Sequence, residues 1–180
     1  AGNVPPQERL ERLQELCAAG PGPSSGISAP DASGTGKVYF VGAGPGDPQL
    51  LTRKAWKLLQ SARVVLHDAL VSPEILKMAG SQAQLIDAGK RCGNKSITQE
   101  QIHGQLIAHA NAGRVVVRLQ GGDPLVFGRA GEEMSALQAA GIEFEVVPGV
   151  TSASAAAAAA QISLTNRKLA SKLIFLSAHR

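Results

Sequence analysis

Two ionisable side chains lie where acid–base chemistry is expected, each after a stretch with the composition of a β-strand. Asp68 follows Val64–His67, and its carboxylate could accept a proton from a carbon acid or hold a substrate by a hydrogen bond. Lys90 lies in the loop Ala88–Lys95 after the third such stretch, where its ammonium could donate a proton or meet a substrate carboxylate. Taken singly, each could equally be an ordinary loop residue. Asp68 and Lys90 could act together in catalysis only if the fold brings both residues to one site.

Three glycine-rich turns follow other strand-like stretches and could form a binding surface. Glycine adopts positive φ and lets a ligand approach the backbone without meeting a Cβ, and open α/β sheets bind ligands at the carboxyl ends of their strands. The second turn could offer backbone amides and one carboxylate to a ribose or an amino-acid group, while Thr151 or Ser152 could cap a helix or contact a ligand. Each turn alone could also be a tight, well-capped connection. The turns are Gly42-Ala43-Gly44-Pro45-Gly46-Asp47-Pro48, Gly121-Gly122-Asp123-Pro124 and Val147-Pro148-Gly149-Val150-Thr151-Ser152.

The first turn raises the question of a dinucleotide site. Such a site needs G-x-G-x-x-G, whose helix N-terminus receives the pyrophosphate, and Asp68 would then bind the ribose. Here Asp47 takes the third glycine's position and precedes Pro48, a pair typical of a helix N-cap followed by proline. A carboxylate at the positive end of a helix repels a pyrophosphate. The turn therefore favours S-adenosylmethionine, a sulfonium compound with a neutral ribose and adenine, and an NAD(P)-dependent oxidoreductase with a Rossmann-like domain is the alternative.

These residues need a scaffold that gathers strand ends. From Lys37 onward, short β-branched runs alternate with longer helical patterns, which predicts an α/β fold with a mostly parallel sheet flanked by helices. A helix carrying Leu50, Leu51 and Leu58 is expected after the first turn, and Thr98–Asn111 is a second helix in which Thr98 and Gln101 form a capping box. The predicted strands are Lys37–Val41, Arg63–Leu66, Gln84–Asp87, Arg114–Leu119, Glu143–Val147 and Lys172–Leu176.

The composition limits the classes of partner. The chain has 180 residues, 44% of them hydrophobic, and a net charge of +4. This allows one well-packed domain, and the charge suits an anionic small molecule as well as a phosphate backbone. Only 3% of residues are aromatic, so a stacking platform for nucleic acid is not expected. The run Ala155–Ala160 is far shorter than the roughly 18 residues of a membrane span. Cys17 and Cys92 are isolated, which predicts a cytoplasmic protein without a metal site.

Domain organisation follows from shifts in composition. Leu10, Leu13 and Leu16 recur at helical spacing, which predicts an N-terminal helical segment over residues 1–19. Residues 20–36 are rich in Gly, Pro and Ser and are typical of a flexible linker. The binding domain would then begin at residue 37.

Together, four ordered segments resemble the tetrapyrrole (corrin/porphyrin) methylases, and among these the enzymes that methylate uroporphyrinogen III. The resemblance runs from about Lys37 to the end of the chain. It implies a domain over residues 37–165 that binds S-adenosylmethionine against a second α/β domain, of which residues 166–180 would be the start. We therefore expect the chain alone to bind this cofactor weakly and to be inactive. The four segments are Val41–Pro48, Asp68–Ser72, Arg118–Glu133 and Val147–Ser154.

The resemblance also implies roles for single residues. Asp68 would be the proton acceptor and Lys90 the proton donor. The implied reaction methylates two ring carbons of uroporphyrinogen III and yields precorrin-2 and S-adenosylhomocysteine, for siroheme or cobalamin biosynthesis. The substrate's carboxylates would meet Arg91, Lys95 and Arg129, and the enzyme would be a homodimer. The cofactor would be lined by Pro45, Gly121, Gly122, Asp123, Val126, Thr151 and Ser152.

Four positions depart from the usual pattern of that family. Gln120 replaces a common Lys, His67 a common Tyr, Ala130 a usual Gly and Asn166 a frequent His. We expect these differences to affect the substrate and the rate more than the fold.

Overall fold

A computed structural model describes residues 36–89, 97–170 and 172–177, together with Gln7 and Glu11, which are helical. Five parallel strands form one sheet in the order β3-β2-β4-β1-β5. The result confirms the predicted α/β fold with a parallel sheet, and the third predicted strand matches in both bounds. The strands are β1 (Val38–Gly42), β2 (Val64–His67), β3 (Gln84–Asp87), β4 (Val116–Gln120) and β5 (Phe144–Val147).

Helices connect the strands, and polar side chains cap several of them. Thr98 and Gln101 form the predicted capping box: Thr98 N donates to Gln101 Oε1 at 2.9 Å, and Gln101 N donates to Thr98 Oγ1 at 3.3 Å. Each cap satisfies backbone groups that a helix end leaves without a partner. The helices are α1 (Arg53–Ser61), α2 (Pro73–Leu76), α3 (Gln99–Asn111), α4 (Ala130–Ala139) and α5 (Ser152–Ala159).

The three central strands β1, β2 and β4 are buried throughout, and their side chains alternate between the two faces of the sheet. Tyr39 and Val41 of β1 point to the face covered by α1 and α2, where Leu58 is fully buried. Phe40 points to the opposite face, which α3 and α4 cover. Arg118 of β4 is in register with Phe40. A charged side chain therefore lies on the second face, where the cluster of buried side chains around Phe40 is apolar.

The first helix differs from its prediction. Asp47 caps only a short 3-10 helix, Pro48–Leu50, with its Oδ1 accepting from Gln49 N at 2.8 Å. Leu51 is extended, and α1 begins after Thr52, whose hydroxyl accepts from Ala55 N at 3.2 Å. The expectation of one helix through Leu50 and Leu51 was wrong, because the Thr52 cap starts a new helix two residues later.

The end of the described chain also differs. Residues 172–177 have no regular secondary structure, so the predicted strand Lys172–Leu176 is wrong. Ile174 and Leu176 are 75% and 86% exposed, and a strand needs a neighbour to accept its backbone hydrogen bonds. Helix α5 has no buried residue.

Several predictions concern residues outside the part of the chain that the structure describes. The N-terminal helical segment and the linker lie outside the described residues, apart from Gln7, Glu11 and Gly36. Lys90, Arg91 and Lys95 also lie outside them. Within the described ranges, no helix combines the length and the apolar character that crossing a bilayer requires.

Candidate functional site at the carboxyl edge of the sheet

The turns after β1 and β4 are joined backbone to backbone. Gly44 N donates to Gly122 O at 3.1 Å, and Gly122 N donates to Gly44 O at 2.8 Å. Both residues have positive φ, 71° and 68°, a conformation that glycine adopts without the strain a Cβ would cause. The two turns therefore form one continuous surface.

The turn after β5 lies against the same two turns. A Cβ on Gly149 would lie 2.2 Å from Gly122 O, and a Cβ on Gly42 would lie 2.5 Å from Gly149 N. Neither distance is possible for a real side chain. We call Gly42, Gly44, Gly122 and Gly149 the glycine corner. Three strand ends meet there without any intervening side chain.

The predicted cofactor-lining residues lie on or beside this corner. A Cβ on Gly122 would lie 3.6 Å from Ser152 N and 3.9 Å from Thr151 Cα, so these three predicted residues are close together. Pro45 is exposed between two glycines of the β1 turn. That turn is held by Ser72, whose hydroxyl donates to Gly46 O at 2.9 Å.

Asp123 connects the loops after β4 and β5. Its Oδ2 accepts from Gly149 N at 3.0 Å and its Oδ1 accepts from Leu125 N at 2.8 Å. The bond to Leu125, two residues on, is a local turn that an Asp in a loop often makes. The bond to Gly149 could not be predicted, because it depends on how the strands are ordered. Val126 lies in the same loop, and its N donates to Asp123 O at 3.2 Å.

A buried group of charges lies beside the corner, at the ends of β2 and β4. Arg118 Nη1 lies 2.7 Å from Asp68 Oδ1, and Arg118 Nε lies 2.9 Å from Glu133 Oε2. The side chains of Asp68, Arg118 and Glu133 are 28%, 4% and 1% exposed. We call these three residues the ionic triad. Burial lowers the pKa of Arg118, but Glu133 and Asp68 raise it more, so it stays above its ordinary value.

Asp68 was predicted from the sequence, but its two partners were not. The available signal was Arg118 itself, a charged residue within the apolar run Val116–Leu119. A buried arginine is nearly always paired, so an acidic partner could have been sought. Glu133 could not have been chosen from sequence alone, because several acidic residues lie on neighbouring elements.

Gln120, which replaces a common Lys of the family, ends β4 beside the corner. Its Nε2 donates to Gly128 O at 2.5 Å, and its Oε1 is buried without a hydrogen-bond partner in the described part of the chain. Leaving a buried acceptor without a donor is costly. Within the described residues, Gln120 therefore leaves one buried acceptor unsatisfied next to Gly121 in the chain.

Arg129, the described member of the three predicted carboxylate partners, lies at the start of α4. Its Nη2 lies 2.6 Å from Glu132 Oε2, and its side chain is 52% exposed. The bond to Glu132 raises the pKa of Arg129. The guanidinium is accessible, but it already has one carboxylate beside it.

Most of the chain is similar to known proteins. Residues 37–179 match the family of Tetrapyrrole (Corrin/Porphyrin) Methylases. The S-adenosyl-L-methionine-dependent uroporphyrinogen III methyltransferase, chloroplastic, of Arabidopsis thaliana is 53% identical over 81% of this chain and 40% of its own length. The uroporphyrinogen-III C-methyltransferase of Cyanidium caldarium is 53% identical over 78% of this chain and 56% of its own length.

A solved structure agrees with these matches. Uroporphyrin-III C-methyl transferase from Thermus thermophilus, complexed with S-adenyl homocysteine, has a TM-score of 0.64 and 48% identity. The alignment covers 76% of this chain and 56% of that one. The chain thus spans about half the length, or less, of the relatives that it matches.

Proposed function

The chain belongs to the tetrapyrrole (corrin/porphyrin) methylases, and from this premise we propose that the complete protein methylates uroporphyrinogen III. The methyl groups come from S-adenosylmethionine, and two successive transfers to ring carbons give precorrin-2. The observation that carries the proposal is the glycine corner, where the turns after β1, β4 and β5 meet directly. The proposal is supported because this corner lies at the carboxyl edge of the strands, where parallel α/β sheets bind ligands.

The residues present fit this cofactor. The corner offers backbone without side chains, so a flat nucleoside can lie against it. The first N–H groups of α5 have no partner within the helix, so Ser152 can donate to a carboxylate of the ligand. Asp47 already accepts from Gln49 N, which leaves a carboxylate where a pyrophosphate would have to lie. We propose that Pro45, Gly121, Gly122, Asp123, Val126, Thr151 and Ser152 hold the cofactor.

The protein's own share of the reaction is positioning and proton management. When bound, S-adenosylmethionine supplies an electrophilic methyl group on a positively charged sulfur. Asp68 accepts the proton that the methylated ring system releases. Its carboxylate is partly exposed beside the corner, so a ligand bound there can contact it. Lys90 is the proposed proton donor. Arg91, Lys95 and Arg129 are the proposed partners of the substrate's carboxylates.

We further propose a homodimer in the cytoplasm, feeding siroheme or cobalamin synthesis. Resemblance to the family supports the dimer. The isolated Cys17 and Cys92 support the cytoplasm, which is a reducing compartment.

Ligand binding separates this proposal from the oxidoreductase alternative. Calorimetric titration of the complete protein with S-adenosylhomocysteine should release or absorb heat, and titration with NAD should not. Heat with NAD alone would end the methylase proposal. Binding of S-adenosylhomocysteine without turnover of uroporphyrinogen III would instead indicate a binding module.

Substituting Asp68→Asn tests the proposed proton acceptor. We expect methyl transfer to fall by about 100-fold or more, within the range that general bases contribute. The affinity for S-adenosylhomocysteine should change little, because Asp68 lies beside the corner and not within it. The rate of precorrin-2 formation and the calorimetric affinity are the two measurements. Unchanged turnover would remove Asp68 from this role.

A further inference from the structure

Asp68 is held at the end of β2 by groups outside its own loop. Its backbone N donates to Leu119 O at 3.2 Å, and its carboxylate lies 2.7 Å from Arg118 Nη1. Both contacts come from β4, the neighbouring strand. The orientation of the carboxylate is therefore set by Arg118.

Arg118 is in turn fixed from the other side. Its Nε donates to Glu133 Oε2 at 2.9 Å and to Glu133 Oε1 at 3.2 Å, and its Nη2 donates to Glu133 Oε1 at 3.2 Å. A planar guanidinium engaged at two edges cannot rotate without breaking one set of bonds. At 4% exposure, it is also out of reach of a substrate.

Glu133 has the properties of an anchor. It is 1% exposed on α4, and its Oε1 also accepts from Gln99 Nε2 of α3 at 2.9 Å. Bonds from two elements hold its carboxylate in place. The chain of contacts thus runs from the packed helices through Arg118 to Asp68.

We propose that Arg118 is a positioning residue that fixes the Asp68 carboxylate for proton acceptance, with Glu133 as its anchor. This rests on the proposed function, in which Asp68 accepts the proton. A purely structural ion pair is the competing explanation, since buried arginines also stabilise folds. The two explanations differ in one respect: a positioning residue acts only through Asp68.

A double-mutant cycle in the complete protein tests this difference. Arg118→Lys keeps the charge beside Glu133 but cannot bridge two carboxylates as a fork. We expect it to lower kcat by up to about 100-fold, the cost of a small misplacement of a reacting group. In the Asp68→Asn background the same substitution should have no further effect on kcat. The affinity for S-adenosylhomocysteine should remain within about twofold throughout.

The cycle also identifies a structural role. Such a role predicts that Arg118→Lys lowers kcat by the same factor in both backgrounds, which would overturn the proposal. Should Arg118→Lys fail to fold, the isosteric Glu133→Gln replaces it in the same cycle, with the same expected non-additivity.

Lys37→Gln is the matched control. Lys37 is also a cation between two carboxylates, 2.5 Å from Glu143 and 3.6 Å from Glu145, but at the opposite end of the sheet. The kcat of Lys37→Gln should equal that of the unsubstituted protein. A loss of kcat as large as that of Arg118→Lys would overturn the proposal. If the unsubstituted protein transfers no methyl group to uroporphyrinogen III, the proposed function fails and this inference with it. Additive losses in an active enzyme overturn only the inference.

Discussion

The two ends of the sheet carry the same arrangement of charges in different surroundings. At the carboxyl end Arg118 lies between Asp68 and Glu133, with side-chain exposures of 4%, 28% and 1%. At the amino end Lys37 lies between Glu143 and Glu145, with exposures of 28%, 72% and 27%. Water screens the second group, whereas the buried charges of Arg118 and Glu133 in the first depend on each other. The comparison teaches that burial, and not the number of ion pairs, decides which charges the fold requires.

Glycines at the two ends differ in the same way. At the carboxyl end Gly149 has backbone within 2.2 Å of where a Cβ would lie. At the amino end Gly141 precedes β5 with a φ of 69° and open space around its Cβ position. Gly149 is required by its neighbours, and Gly141 only by its own conformation.

The largest effect should come from Glu133→Ala. It leaves Arg118 buried with Asp68 alone, and breaking a buried pair on one side typically costs about 3–5 kcal/mol. Urea unfolding monitored by circular dichroism gives the free energy of unfolding. A loss below about 1 kcal/mol would mean that the carboxyl-end charges are screened like those at the amino end.

Gly149→Ala should follow. The added methyl meets Gly122 O and forces the β4 and β5 turns apart, so we expect a loss of about 1–3 kcal/mol together with loss of S-adenosylhomocysteine binding. The control Gly141→Ala should cost about 1–2 kcal/mol from positive φ alone, with binding intact. Thermal unfolding and calorimetry measure both quantities. Equal binding by both variants would contradict a functional glycine corner.

Lys37→Gln should have the smallest effect, about 0–1 kcal/mol at neutral pH. Burial lowers the pKa of Lys37, but the bond to Glu143 and the charges of Tyr39, Glu143 and Glu145 together raise it more, so the net pKa lies above its ordinary value. Because the pKa of Lys37 is higher in the folded protein than in the unfolded chain, the charged side chain stabilises the fold. This stabilisation is fully present below the pKa of lysine in the unfolded chain, about 10.4. It is lost as the pH rises through the pKa of Lys37 in the folded protein. The difference in the free energy of unfolding between Lys37→Gln and the unsubstituted protein, measured by urea unfolding, should therefore vanish in strong alkali. A difference that grew with pH would contradict this sign.

Local sequence signals predicted the parts of the fold that depend on local chemistry. The capping box at Thr98 and the positions of the five strands along the chain are such cases, because residue type and spacing indicate them. The strand at Lys172–Leu176 was predicted from the same kind of pattern and was wrong, since pairing depends on a partner that composition does not reveal.

The candidate site also contains features that local sequence predicts and contacts that it does not. The glycine turns and Asp68 could be found, because glycine spacing and strand ends are visible in sequence. The bonds from Arg118 to Asp68 and from Asp123 to Gly149 depend on the sheet order β3-β2-β4-β1-β5. No spacing along the chain encodes that order directly, so these contacts required the structure.

The carboxylate of Asp123 holds Leu125 N with one oxygen and Gly149 N with the other. Because a single side chain fastens both segments, neither can fluctuate outward without loosening the other. Amide hydrogen exchange at the two positions is thus linked to one opening event, and a molecule that steadies either segment protects both.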